Sequence, residues 1–252
     1  MRGIISVASV LACAFISGAQ ITANLKTSPD GSNEIIIKNN GAVSLAAFAI
    51  AAHRKGDDQT LRALPANSLD PPARFYFDST MDLAVTPLLP NEERKVAQSS
   101  VMLSRTDAER HFIIFEEPIV TGGIFVDGAI AGDAVLISGL MLRRSNMLLA
   151  VETTLETLSH AGAHNIPRDQ LIEQFTKMAE FVNHWYIPPE EQISRGLYLS
   201  MIEKLRHVAE GPLGSPFPPA AFVERETAVL RQQRARLMES RPGLDNAVLI
   251  WK

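Results

Sequence analysis

The chain has 252 residues, of which 46% are hydrophobic and 21% are charged, and its formal net charge is −4. This composition is typical of a globular protein with one large or two ordinary domains, and the slight acidic excess excludes the strongly basic surface of a nucleic-acid binder. Cys13 is the single cysteine of the sequence, so an internal disulfide is excluded.

Residues 1–19 have the organisation of a secretory signal peptide. Arg2 is a positive start, residues 4–16 form an apolar core, and Ser17-Gly18-Ala19 is a small-residue cleavage site. This core is shorter than the roughly twenty residues that a membrane-spanning helix needs, so no stable membrane span is expected after cleavage. Acylation of Cys13, as in a lipoprotein, is the alternative, but the apolar residues after Cys13 fit it poorly. We therefore expect a secreted protein, either periplasmic or extracellular.

Residues 20–132 carry apolar side chains at every second position in short runs, which is the pattern of β-strands. Turn residues such as Pro29-Asp30-Gly31 separate the runs. In one run, Phe48 and Ile50 share one face and alanines occupy most of the other. The pattern predicts an immunoglobulin-like β-sandwich. Its predicted strands are residues 21–25, 34–38, 45–53, 74–77, 94–97, 111–115 and 119–126.

Residues 55–73 contain Pro65, Pro71 and Pro72 and show neither a strand nor a helix period. Loops of this length are uncommon in a compact domain unless they are functional or disordered. The sequence leaves their role open, with an inert surface excursion as the simplest interpretation.

From residue 133 the apolar spacing becomes helical, and residues 133–252 are predicted to form a helical region. Asp133 is placed to cap the first helix, and Gly162 to stop it. Gly139 costs a helix interior about 1 kcal/mol relative to Ala, so a strand at residues 134–138 is the alternative for this start. The predicted helices span about 133–160, 167–186, 189–210 and 219–240.

Four amphipathic helices with short connections can close around their own apolar stripes as a bundle. The same helices could instead lie as a layer against the sandwich, and the sequence does not choose between the two arrangements.

Several segments together resemble secreted bacterial proteins of uncharacterised function. The segments are residues 34–40 and 45–50, Phe125-Val126-Asp127-Gly128, and Gly132-Asp133 opening a helix that carries Arg143-Arg144. The resemblance implies an N-terminal immunoglobulin-like domain followed by a helical C-terminal region. It implies no catalytic residues.

His160 and His164 are four residues apart, a spacing that puts two imidazoles on one face of a helix, and His184 could supply a third metal ligand. The His-Glu-x-x-His pattern of zinc peptidases is absent, and Gly162 lies between the two histidines. Ordinary polar histidines at a helix end are the favoured interpretation. No serine stands in the Gly-x-Ser-x-Gly context of an exposed nucleophile. We therefore assign no catalytic, cofactor-binding or metal-binding residue.

Two other patterns have a structural and a functional interpretation. Gly122-Gly123 and Gly128-x-x-x-Gly132 could cradle a phosphate, but no Gly-Lys-Ser/Thr follows, and glycines at strand ends are the simpler account. The basic stretch at residues 231–236 has acidic neighbours, which favours a solvated helix face.

The apolar, β-prone residues 247–251 (AVLIW) follow the helix-stopping Pro242-Gly243 and are expected to dock, within their own chain or on a partner. Together these patterns predict a non-catalytic secreted protein that serves binding or envelope structure, with another envelope or extracellular protein as partner. A secreted hydrolase with an unrecognised, metal-dependent site and a helical assembly subunit are the alternatives.

Overall fold

The computed structural model describes residues 20–29, 32–55, 73–81, 85–98, 100–103, 110–181, 193–209 and 217–239. These residues form eight β-strands followed by four α-helices, so the predicted α+β class is confirmed. The strands are β1 (Ile21–Thr27), β2 (Asn33–Asn39), β3 (Leu45–Lys55), β4 (Ala73–Asp78), β5 (Glu93–Gln98), β6 (Ser100–Leu103), β7 (Arg110–Phe125) and β8 (Ile130–Gly132). The helices are α1 (Ala134–His164), α2 (Arg168–Phe181), α3 (Ile193–His207) and α4 (Ala220–Glu239).

The strands form two antiparallel sheets with an apolar core between them. One sheet has three strands in the order β1-β2-β5, and the other has the order β4-β3-β7-β6, with β8 also paired to β7. The alternating residues Ile35 and Ile37 of β2 are fully buried and pack with Phe48 and Ile50 of β3. The period of two therefore places one face of each sheet in a common core.

Asn33 joins the two sheets through backbone hydrogen bonds. Its Nδ2 donates to the carbonyl oxygen of Phe115 at 2.7 Å, and the backbone N–H of Phe115 donates to Asn33 Oδ1 at 3.0 Å. Because Asn33 is 4% exposed, this amide satisfies two backbone groups of β7 away from water.

The strands predicted at residues 111–115 and 119–126 are one strand, β7, so that prediction of a break is wrong. The pairing with β3 shifts between Ala51, opposite Val120, and His53, opposite Glu116, which leaves two extra residues on β7. Pro118 lies in this irregularity, where a residue without a backbone N–H is tolerated. The strands β6 and β8 were not predicted.

The second face of β3 is covered by α1. Ala47, Ala49 and Ala51 pack against Leu136 and Leu140, and their small side chains leave room for the helix. Both faces of this sheet are therefore buried along β3, which the sequence showed as a nearly continuous apolar run.

Helix α1 begins as predicted and ends later than predicted. The carboxylate of Asp133 accepts a hydrogen bond from the backbone N–H of Leu136 at 3.0 Å, which confirms the N-cap and excludes a strand at residues 134–138. Gly162 does not stop the helix, which continues to His164 and ends at Asn165 in the left-handed conformation, φ 51°. Asparagine tolerates this conformation, and Gly162 instead faces the side chain of Val223 across the contact with α4.

Helices α2 and α3 lie within the spans predicted for them, and the predicted helical residues 182–186 and 189–192 lie outside the described part. The first turns of α1 pack on the sheet, whereas its C-terminal half joins α2, α3 and α4 in a second apolar core. The two predicted alternatives are therefore combined in one long helix.

Candidate functional site

A buried ion pair lies where the sheets meet the helices. Asp78 is the last residue of β4, and Arg144 lies in the third turn of α1. Arg144 Nε lies 2.6 Å from Asp78 Oδ2, and Arg144 Nη2 lies 3.1 Å from Oδ1. The two side chains are 6% and 3% exposed, so this two-bond contact is shielded from water.

The turn after β4 completes the coordination of the Asp78 carboxylate. Both the backbone N–H and the hydroxyl of Thr80 donate to Asp78 Oδ1, at 2.9 and 2.6 Å. Ser79 donates from its backbone N–H and its hydroxyl to the carbonyl oxygen of Ala46 on β3. Four donors therefore contact this carboxylate, and the turn is fixed to the neighbouring strand.

The same turn also contacts the helical core. Met81 is buried among the apolar residues of the helices, and its carbonyl oxygen accepts a 2.8 Å hydrogen bond from Nε2 of Gln233 on α4. Residues 78–81 thus connect β4, β3, α1 and α4. The ionisable groups in this region, Asp78 and Arg144, are buried in contacts between these elements and do not line an open cleft.

Glu226 on α4 is a second buried charged group, 4% exposed. Its carboxylate accepts hydrogen bonds from Lys204 Nζ at 2.7 Å and from Arg225 Nε at 3.0 Å. Burial opposes ionisation, but the contacts with Lys204 and Arg225 outweigh it and hold the pKa of Glu226 below its usual value. This carboxylate is therefore a stable anion that joins α3 to α4.

His160 and His164 stack on each other on the last turn of α1, with ring centroids 4.2 Å apart. Both are exposed, and Nδ1 of His164 lies 3.0 Å from the carbonyl oxygen of His160, where its N–H satisfies a carbonyl of the helix end. Among the described residues no group of three His, Cys, Asp or Glu side chains is arranged to hold a metal ion. His184, the proposed third ligand, lies outside the described residues.

A groove of about 370 Å³ lies between α2 and α3. Its apolar part includes Leu199 and Ile202, and its charged residues are two arginines and two glutamates, so it selects for neither sign of charge. The groove is lined by Thr176, Ala179, Glu180, Arg195, Leu199, Ile202, Glu203 and Arg206.

The solvent-facing side of α1 carries exposed apolar residues. Val135, Leu142 and Leu149 are 60%, 43% and 64% exposed. Within the described ranges, α1 is the one helix that is long and apolar enough to cross a membrane by length and composition, and half of its apolar window is buried in the fold. Its packing against the sheet and the other helices accounts for the buried half of this window.

The remaining sequence patterns have structural roles. Gly122 and Gly123 lie within β7. A Cβ on Gly122 would meet Asp133 and Leu136, and a Cβ on Gly123 would meet Ile21 and Leu45. Close packing, rather than a phosphate loop, explains these glycines.

In the basic stretch of α4, Gln233 is buried and Arg234 pairs with Glu152 of α1 at 2.9 Å, so this helix face is partly a packing surface. Residues 56–72 and the segment 247–251 lie outside the described residues.

Neither Asp78 nor Arg144 was predicted from the sequence as a member of a buried ion pair. A signal for Arg144 was present, because it lies four residues after Leu140 and three before Met147, on the buried stripe of α1. An arginine on a buried stripe requires an anionic or carbonyl partner. The identity of that partner, 66 residues away, has no local signature.

A scan against protein-family models gave no match to this chain, and comparisons with curated proteins and with solved structures gave no significant match.

Proposed function

We propose that this chain is an exported, non-catalytic module that binds another protein of the envelope or extracellular space, and that its two sheets form an immunoglobulin-like sandwich. The strand order supports the sandwich. Immunoglobulin-like folds place strands A, B and E in one sheet and C, F and G in the other, and variable-type domains add C′ beside C. In the proposed assignment β1, β2 and β5 correspond to A, B and E, and β4, β3, β7 and β8 correspond to C′, C, F and G, with β6 as an additional strand beside β7.

Export is supported by residues 1–19, which combine Arg2, a short apolar core and a small-residue cleavage site. A mature chain that starts at Gln20 keeps every described residue. Fusion of residues 1–25 to a reporter that is active only outside the cytoplasm tests this part of the proposal. An inactive, unprocessed fusion would overturn it.

The non-catalytic role is supported by the buried charged groups, which form ion pairs between elements of the fold. The three buried charged side chains of the described residues are Asp78, Arg144 and Glu226, and each is engaged between elements of the fold. A catalytic acid or base instead needs an accessible position and a pKa close to the working pH, whereas the pKa of Glu226 is lowered.

Binding is supported by the groove between α2 and α3, whose charges of both signs surround apolar residues. Leu199, 44% exposed, lies in this groove, and Val229, 39% exposed, lies on α4 and is a matched control position. A photo-crosslinking residue at each position, in protein expressed in its own cells, tests the proposal. One envelope protein that crosslinks from position 199, does not crosslink from 229, and rebinds in a stoichiometric complex when purified is the expected result.

Equal labelling from both positions would overturn the groove as the binding surface. A panel of ester, peptide and glycoside substrates tests the hydrolase alternative. Turnover that is lost in the His160→Ala, His164→Ala double variant would overturn the non-catalytic role.

A further inference from the structure

The exposed apolar residues of α1 lie on a single line. Val135, Leu142 and Leu149 are seven residues apart, close to two helical turns, so their side chains share one face along about 21 Å of helix. We call these three residues the α1 stripe. Ser138 and Ser145 lie three residues after Val135 and Leu142, so the side chains beside the stripe are small. Larger apolar side chains can therefore pack there.

Helix α4 runs antiparallel to α1, and its last residue is level with the C-terminal part of this stripe. Near its start, Val223 faces Gly162, and eleven residues later Arg234 pairs with Glu152. At 1.5 Å per residue, the last residue of α4, Glu239, is level with about residue 147 of α1. The chain therefore leaves α4 at the level of Leu149 along the α1 axis, and the residues after Glu239 only have to pass around α1 to reach the stripe.

The residues that follow α4 have the right chemistry and enough length to cover the stripe. Residues 247–251 (AVLIW) are apolar. Ala247 is eight residue steps after Glu239, a distance of up to about 26–29 Å when the chain is extended. Five extended residues cover about 17 Å, most of the stripe. Pro242-Gly243 allows the chain to turn across α1 before this segment begins.

We propose that residues 247–251 dock on the α1 stripe of their own chain, with the apolar side chains of the segment packed on Val135, Leu142 and Leu149. The short linker between α4 and this segment favours docking within the same chain over docking of a second copy. A segment held by a short linker meets the stripe at an effective concentration in the millimolar range, above that of a second copy in dilute solution. This inference is independent of export and of the groove between α2 and α3.

Disulfide trapping tests the docking in the full chain. With Cys13→Ser as background, Leu142→Cys is combined with Leu249→Cys, and Leu199→Cys with Leu249→Cys is the matched control, because Leu142 and Leu199 are 43% and 44% exposed. Mild oxidation is expected to give an intramolecular crosslink in most molecules of the first variant and in at most about a tenth of the second, as tethering concentrates the segment at one site.

Equal crosslinking of the two pairs, or none, would overturn the proposal. A crosslinked dimer specific to position 142 would also overturn it, in favour of a second copy as the occupant.

Proteolysis gives a second readout that does not depend on cysteine geometry. Leu142→Asp with Leu149→Asp removes the apolar surface at positions that already contact water, so the fold is retained. Chymotryptic cleavage after Trp251 or Leu249 is then expected to be at least about tenfold faster than in the wild-type chain, because cleavage follows the population of the released segment. The control Val229→Asp should leave the rate unchanged, and an unchanged rate in the double variant would contradict the docking.

Discussion

The guanidinium of Arg144 donates two hydrogen bonds to the carboxylate of Asp78, and this pair is the charged link between the sheets and the helices. Asp78 ends β4, and the turn that follows it supplies Met81 to the helical core. A displacement of α1 would therefore disturb β4, the turn and the contact with α4 together. The position of the helices on the sheets therefore depends on this ion pair as well as on the packing of α1 against the alanines of β3.

Arg144→Met is expected to destabilise the fold by about 3–5 kcal/mol, because it leaves the Asp78 carboxylate buried without its cation. Urea unfolding at pH 7 measures the loss. The double variant Asp78→Asn, Arg144→Met is expected to be more stable than Arg144→Met alone, since the buried charge is removed. The exposed pair of Arg234 with Glu152 is the control, and Arg234→Met should cost less than about 1 kcal/mol. If the stability losses of the single variants Asp78→Asn and Arg144→Met add up to the loss in the double variant, the pairing is contradicted.

Gly139 allows α1 to approach β4 closely. A Cβ at this position would lie 2.8 Å from the hydroxyl oxygen of Tyr76, whereas a Cβ at Gly196 on α3 would have no neighbour within 4 Å. Gly139→Ala is therefore expected to lower stability by about 1–2 kcal/mol despite its better helix propensity, and Gly196→Ala to raise it by up to about 1 kcal/mol. Thermal and urea unfolding of both variants measure these stability changes, which are expected to have opposite signs.

Tyr76→Phe tests whether the Tyr76 hydroxyl causes the stability loss expected for Gly139→Ala. Removal of the hydroxyl relieves the closest contact, so Gly139→Ala should cost less in the Tyr76→Phe background than in the wild-type chain. An equal cost in both backgrounds would show that Tyr76 does not set the distance between α1 and β4.

Much of the fold follows from local patterns. The alternation of Phe48 and Ile50 with alanines predicted the two faces of β3, of which the Phe48 face lies in the core between the sheets, and Asp133 predicted the start of α1. The single strand through Pro118 was not predictable, because a break and a bulge have the same local sequence and differ in the pairing with β3. The same holds for Arg144, whose position on a buried stripe is local and whose partner is not.

Glu226→Gln tests the pH dependence of the helical region. The pKa of Glu226 is below its usual value when folded, so its ionised contacts stabilise the fold above the unfolded-state pKa, and this stabilisation is lost as the pH falls through the lowered folded pKa. At pH 7 the variant is expected to be less stable than the wild-type chain, and the difference should shrink below about pH 4. Urea midpoints at pH 7 and pH 3 measure this change. Glu224→Gln, at an exposed position two residues earlier, should leave both midpoints nearly unchanged.

Asn33 tests how much the hydrogen bonds between the two sheets contribute to stability. Its amide pairs with both the N–H and the carbonyl of Phe115, so Asn33→Leu leaves two buried backbone groups of β7 without this partner and joins the sheets less well. A loss of about 2–4 kcal/mol in urea unfolding is expected, since each unsatisfied buried group costs about 1–3 kcal/mol. Asn40→Leu is the control, because its amide bonds to Thr22 in an exposed position, and it should cost less than about 0.5 kcal/mol. Faster hydrogen exchange at the Phe115 amide in Asn33→Leu, with no change in Asn40→Leu, would locate the loss at the contact between the sheets. Equal losses in the two variants would mean that the apolar core alone holds the sheets together.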